Sequence, residues 1–361
     1  MAFNFKRLFS TLNTSNASGP QRVVGVDIGS SSVKVVELEQ GEKALRLTTY
    51  GELQLGPYAQ EPLGSNVVLP LAQRTEALVD VLRESDVQAS KVVITLPLAG
   101  SFVTTIAITA KPQDDIAPRV NVEARKYIPV PLTDVALEWV EVDPLKNTPQ
   151  SVREVLVAAI QNDVLADSRK LLASIQKTSG SPEIEVFSVI RAITKETDES
   201  LAIIDLGAKT SKLYISEGGF LRRIHRVQGG GALATQRVAD LLSVSFEEAE
   251  NIKRNFSSEA PKASDIKKVV LSSYERPLQE FKRALSQYEV RSGSEFSRVV
   301  ITGGSTLFPD FQQFTNYALD RQTFKSNPFT KVGYPAFMED TITDIAPTFT
   351  VALGAALRAF E

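Results

Sequence analysis

The chain has 361 residues, 43% of them hydrophobic and 23% charged, an ordinary globular balance with length enough for two or three domains. A net charge of −3 provides no basic face for nucleic acid, and the absence of cysteine excludes disulfides, thiol catalysis and cysteine metal sites. His225 is the only histidine, so a multi-histidine metal cage is a poor fit and any chemistry falls to carboxylates, lysines or backbone amides.

The first 20 residues divide in two. Phe5, Leu8, Phe9 and Leu12 recur at helical spacing with Lys6 and Arg7 between them, and Asn13 to Pro20 reads as a polar linker. The leading part is open to two readings, a frayed tail or a short amphipathic foot for a partner groove or a membrane surface. It lacks a secretory apolar core followed by a cleavage site, and no apolar run in the chain reaches the roughly 20 residues of a membrane span. A cytoplasmic protein is the expectation.

Residues 22–54 predict a β-meander: the β-branched run RVVGVDIG, a serine turn, then VKVVELEQ and ALRLTTYGEL around Gly41. Residues 67–85 predict a helix with Leu71, Leu78, Val81 and Leu82 on one side, followed by the buried strand KVVITLP. Residues 98–180 keep their own rhythm of strand, helix ending at Pro129, two strands and a helix from Asp163 to Lys177, a small α+β unit. The opening pattern then returns: LAIIDLGAKTSKLYISEGGFLRRIHRV is strand, turn, strand, Gly-Gly turn, strand, an internal repeat of residues 22–54. Helices are predicted over 232–243, 245–256 and 266–291. The strand RVVITGGS and a C-terminal helix of small and apolar residues, TFTVALGAALRAF, complete the chain.

Five sites in this order carry chemistry. In the first, a buried strand ends in Asp27, Gly29 permits a tight turn, Ser30, Ser31 and Ser32 offer hydroxyls and amides to phosphate oxygens, and Lys34 can reach a phosphate. Mg²⁺ keeps several of its waters, so one aspartate can hold it through them. The competing reading is a plain hairpin with Asp starting the turn. The second site, Asp205, Gly207, Thr210 and Ser211, repeats the logic in the same context, and two such hairpins facing each other would clamp a polyphosphate and its metal.

The third is Gly229 and Gly230 leading, through Gly231, into a helix whose N-terminus an anion can approach, or a bare loop. The fourth is Glu250, Lys253 and Arg254 on one helical face, after the capping box Ser245–Glu248. These three read either as ribose and adenine contacts or as a solvated salt-bridge face. The fifth is Gly303, Gly304 and Ser305 after a strand, where a flat base or ribose can lie on the backbone, or another strand–helix turn.

That order resembles the actin-like ATPase superfamily. The segments VVGVDIGSSSVKVVELEQ, EARKYIPVPLTDVALEW, AENIKR, VVITGGSTLFPDFQQF and FTVALGAALR resemble, in order and spacing, the PilM family of type IV pilus assembly proteins, over residues 20–361. The resemblance implies an α/β, two-lobed actin-like (ribonuclease H-like) fold with an inserted small α+β subdomain. The expected divisions are 1–20 for the amphipathic segment and linker, 21–97 for the first lobe and 98–180 for the insert. Residues 181–198 would connect the lobes, 199–345 form the second lobe and 346–361 the packed helix.

It also implies ATP or ADP in the cleft, Mg²⁺ held by Asp27 and Asp205 through water, and Gly303 and Gly304 flanking the nucleoside. The implied partner is the cytoplasmic N-terminal peptide of a PilN-type inner-membrane protein, bound between the main lobe and the insert. The pilus assembly platform, motor ATPases and a homo-oligomer stay open as further partners, nucleic acid does not, and membrane association would be peripheral. Glu185, in the segment between the lobes, is the candidate for positioning an attacking water; its alternative is an exposed strand-end glutamate. Nucleotide is then expected to act mainly as a structural or switching ligand, with at most weak ATPase activity. Alternatives are a cytoskeletal protein of FtsA type, whose terminal membrane-targeting helix this sequence lacks after Phe360, or a small-molecule kinase of the same superfamily.

Overall fold

β-branched runs broken by serine and glycine turns form the first sheet of this computed structural model. β1 (Arg22–Ile28), β2 (Ser32–Gln40) and β3 (Leu45–Gln54) make an antiparallel meander. The helix α1 (Leu71–Glu84) then crosses over, and β4 (Lys91–Leu96) pairs with β1 in parallel. α1 presents Ala77, Leu78, Val81 and Leu82 to Val24, Val26 and Val35 of the sheet, the amphipathic stripe expected of a crossover helix. The structure describes residues 21–361 apart from positions 112, 146, 147, 150, 176, 180, 181 and 196, so the N-terminal foot and linker lie outside the described residues.

β5 (Ser101–Thr109), α2 (Ala117–Ala124), β6 (Val135–Val142), β7 (Val152–Gln161) and α3 (Asn162–Ser174) follow, with the strands in the antiparallel order β5-β7-β6. β7 is buried on both faces. Val155, Val157 and Ala159 pack with Val120 and Ala124 of α2, while Leu156, Ala158 and Ile160 join the core around Phe187 and Leu221. α2 ends at Ala124, short of the predicted Pro129. The short strands β8 (Thr178–Ser179) and β9 (Glu183–Ile184) both pair with β4, and α4 (Glu185–Ile193) leads out.

The second sheet copies the first. β10 (Ser200–Leu206), β11 (Thr210–Glu217) and β12 (Phe220–Gln228) form the meander. Four helices cover it: α5 (Gly231–Leu242), α6 (Phe246–Arg254), α7 (Ala263–Ser272) and α8 (Glu275–Ser292). β13 (Arg298–Thr302) pairs with β10 in parallel, and α9 (Phe311–Leu319), β14 (Phe324–Lys325), α10 (Glu339–Ile345) and α11 (Thr350–Leu357) complete the chain. The strand order β12-β11-β10-β13-β14 mirrors β3-β2-β1-β4-β8. The single helix predicted over 266–291 is two, α7 and α8, separated at Ser273–Tyr274. Pro277 explains the break, because a continuous helix would drive its ring into the Ser273 carbonyl.

All of α11 is buried, as its small and apolar composition predicts. A side chain at Gly354 would lie 1.9 Å from the Ser188 carbonyl of α4, and one at Gly25 2.0 Å from the Ala352 carbonyl, so only glycine lets α11 seat against both α4 and β1. Arg191 of α4 donates to Glu183 at 2.6 and 2.7 Å and to the Gly354 carbonyl at 3.1 Å. This buried, bidentate pair fixes α4 against α11 beneath the cleft.

Candidate functional site

The repeat becomes geometry at the two hairpin turns. The Gly29 amide donates to the Ser32 carbonyl at 2.9 Å, and the Gly207 amide donates to the Thr210 carbonyl at 3.2 Å. Across the strands Asp27 faces Lys34 and Asp205 faces Lys212. Both turns open onto one cleft of about 520 Å³, which Glu185, Glu250, Lys253, Arg254, Gly303, Gly304 and Ser305 also line.

The carboxylates at the cleft floor are not equivalent. Burial pushes the Asp27 carboxyl up to about 6; Lys34 pulls against this shift and Glu185 adds to it. Asp205 is 7% exposed and also raised by burial, with Lys212 opposing. Lys34 Nζ donates to Ser32 Oγ at 2.6 Å and stands 3.5 Å from Glu52. Lys212 Nζ donates to Glu185 at 2.8 Å and Asp205 at 3.3 Å. Burial works against the Lys212 ammonium, yet Glu185 and Asp205 hold its pKa well above the ordinary lysine value.

At the other end of the cleft, Glu250 is 4% exposed. It accepts from Lys253 Nζ at 2.5 Å, from Arg254 Nε at 2.6 Å and from the Thr235 hydroxyl. Burial alone would raise its carboxyl, but Lys253 and the hydrogen bonds keep it below the usual carboxylate range. Lys253 also donates to the Gly231 carbonyl at 3.1 Å. Gly64 of the first lobe lies against the Glu250 carboxylate, and Arg254 donates to Gln54 at 3.2 Å, so this end joins the two lobes.

Gly303 sits at φ +94°, and a side chain there would meet the Leu206 carbonyl at 2.5 Å. A bare backbone shelf results, with Tyr274 donating to Ser305 at 2.7 Å below it. The buried Thr348 hydroxyl lines the cleft beside Gly304 with no hydrogen-bond partner among the described residues. A buried polar atom without a partner costs stability until something fills that role. The shelf, the lone hydroxyl, Lys34 and a row of turn amides suit a ligand with a flat apolar end and an anionic end.

A family model described as type IV pilus assembly protein PilM matches residues 25–360. The chain belongs to the PilM family. A solved PilM-PilN type IV pilus biogenesis complex superposes with a TM-score of 0.78 at 21% identity, covering 94% of this chain and 98% of that one. Ethanolamine utilization protein EutJ from Carboxydothermus hydrogenoformans gives a TM-score of 0.59 at 14% identity over 95% of this chain and 91% of its own. MreB5 of Spiroplasma citri bound to ADP gives 0.52 at 11% identity over 94% and 96%. The fold of this PilM-family member is therefore the two-lobed actin-like one.

Of the residues singled out from sequence, Asp27, Gly29, Ser30, Ser31, Ser32, Lys34, Glu185, Asp205, Gly207, Thr210, Glu250, Lys253, Arg254, Gly303, Gly304 and Ser305 meet at the cleft. Ser211, Gly229 and Gly230 do not line it. Ser211 donates to the Gly229 carbonyl at 2.8 Å, and the Gly231 and Ala232 amides donate to the Gly207 and Ala208 carbonyls at 3.0 Å. The start of α5 thus spends its first amides clasping the second hairpin instead of facing an anion. Glu185 is 8% exposed, not an exposed strand end, and Glu250 is too buried for a solvated face.

Lys212, Thr348 and Tyr274 escaped sequence reasoning. Lys212 was open to discovery, since it follows Asp205 at the offset by which Lys34 follows Asp27. Thr348 and Tyr274 stand outside any motif and reach the cleft through helix packing alone.

Proposed function

We propose that the chain is a nucleotide-binding scaffold of type IV pilus assembly. It holds ATP or ADP with Mg²⁺ between its two acidic hairpins and docks the cytoplasmic N-terminal peptide of a PilN-type inner-membrane protein. The observation that carries the nucleotide half is the convergence of both hairpins and the Gly303 shelf on one cleft. Asp27 and Asp205 would hold the metal, which supplies charge neutralisation for the phosphates when bound. Mg²⁺ favours one or two carboxylates with water and phosphate oxygens completing its shell. Ser30, Ser31, Thr210 and Lys34 would take phosphate oxygens, Glu250 a ribose hydroxyl, and Lys253 and Arg254 the edge of the base.

The partner half rests on family membership and on the complex with PilN that the solved relative represents. No helix among the described residues is long and apolar enough to cross a membrane. Nucleotide serves as a structural or switching ligand with slow turnover. Calorimetric titration of the purified protein with Mg-ATP, and of the loaded protein with the partner's N-terminal peptide, tests both halves. Micromolar or tighter binding is expected in each case. No heat with Mg-ATP ends the nucleotide reading, and no heat with peptide ends the scaffold reading.

A further inference from the structure

Glu185 lines the cleft at the start of α4 and is, under the nucleotide reading, the candidate acceptor for an attacking water. Each of its oxygens already accepts one hydrogen bond. Oε1 accepts from the Leu98 amide at 3.0 Å, and Oε2 accepts from Lys212 Nζ at 2.8 Å. Lys212 reaches it from β11 while also touching Asp205 at 3.3 Å. The lysine in the equivalent place of the first hairpin, Lys34, turns instead to Ser32 and Glu52. The clamp is therefore a property of the second hairpin, not of the repeat.

We propose that Lys212 is a latch on Glu185, a positioning residue that withholds this carboxylate from water and so keeps bound nucleotide from turning over. The proposal rests on the nucleotide reading above. In hydrolysis the water oxygen bonds to the terminal phosphorus as the bond from that phosphorus to the bridging oxygen breaks. The diphosphate leaves with the bonding pair, and the water's proton passes to the released phosphate. A side chain speeds this by accepting a hydrogen bond from the water and orienting it. A carboxylate already in a charge-assisted bond to an ammonium is a weaker acceptor, and its position is set by that bond. The ammonium has little to offer a developing phosphate charge, because two carboxylates already balance it. The backing is rigid, since Arg191, further along α4, is paired with Glu183 just before the helix.

The test compares wild type, Lys212→Met, Lys212→Arg, Glu185→Gln, and Lys212→Met combined with Glu185→Gln. Three readouts are needed: Mg-ATP affinity by calorimetry, single-turnover phosphate release, and melting temperature without ligand. Lys212→Met is expected to bind Mg-ATP at least as tightly as wild type, by up to about tenfold, because Asp205 is freed for the metal. Its phosphate release should rise about tenfold or more, and Glu185→Gln should abolish that gain. Lys212→Arg should bring the rate back down. Without ligand, the melting shifts of Lys212→Met and Glu185→Gln should be non-additive, as required of a contacting pair. Unchanged or slower release in Lys212→Met with affinity retained overturns the latch, as do additive melting shifts. If Lys212→Met does not fold, Lys212→Gln takes its place with the same expected outcomes. Failure of the wild type to bind Mg-ATP overturns the nucleotide reading first, and is seen before any substitution is made.

Discussion

The two acidic hairpins share a backbone and differ in chemistry. Strand pairing, turn bond and the aspartate–lysine juxtaposition repeat between them. The first turn is braced by its own lobe: Leu55 and Val67 amides donate to the Ser31 and Ser30 carbonyls at 2.8 Å. Its Asp27 receives a long 3.5 Å approach from Thr95, and Lys34 serves other groups. The second turn is clasped by the start of α5, and Asp205 shares Lys212 with Glu185. Duplicating a scaffold thus does not duplicate a charge balance. The side chains around each copy decide which carboxylate is compensated and which is left for an incoming cation.

The largest expected effect separates the two directly. Asp27→Ala should weaken Mg-ATP binding about 100-fold, near 2.7 kcal/mol, and Asp205→Ala about tenfold, since Lys212 already shares the latter's charge. Calorimetry giving the reverse order would break the comparison.

Next comes ligand-free stability. Asp27→Asn should stabilise by on the order of 1–2 kcal/mol at pH 8, because it removes a carboxylate that burial disfavours as a charge. Asp205→Asn should stabilise by less, because burial disfavours that carboxylate too but its bond to Lys212 is lost with the charge. Denaturant melts of both variants decide this, and a larger gain in Asp205→Asn would refute it.

The same asymmetry has a pH signature. Folded Asp27 titrates at about 6, against the ordinary 3.8 expected of the unfolded chain, so between these values the native state binds the extra proton. Ligand-free stability from this group is therefore highest at low pH and falls as pH rises from ~4 to ~6. Mg-ATP affinity should climb over the same window as Asp27 ionises. Asp27→Asn should flatten both profiles, and a wild-type profile indifferent to the substitution would count against Asp27 as the responsive group.

Smallest in its effect on affinity is the shelf. Gly303→Ala forces a left-handed backbone on alanine against the Leu206 carbonyl, with an expected cost of about 1–3 kcal/mol in stability and a few-fold in affinity, measured by melting and titration.

Much of this was legible beforehand for a physical reason. Strand and helix periodicity records burial, so the two meanders, the insert's strands and the packed C-terminal helix could be read residue by residue. The Asp27 and Asp205 turns were visible because tight turns demand glycine in a fixed place. The break between α7 and α8 was missed although Pro277 announced it. Glu185 and Glu250 stayed ambiguous, because a charged residue on a short segment looks alike whether it faces solvent or a buried lysine.

The amino-acid order alone settled the repeat, the sheet patterns and the family, all properties of local spacing. Tertiary structure decided which glycines line the cleft and which clasp a turn. It also placed Thr348 and Tyr274 at the site and gave Lys212 to Glu185 and not to solvent. Those choices depend on where side chains distant in the chain come to rest in three dimensions, and on the balance of burial against charge there, which no one-dimensional pattern encodes.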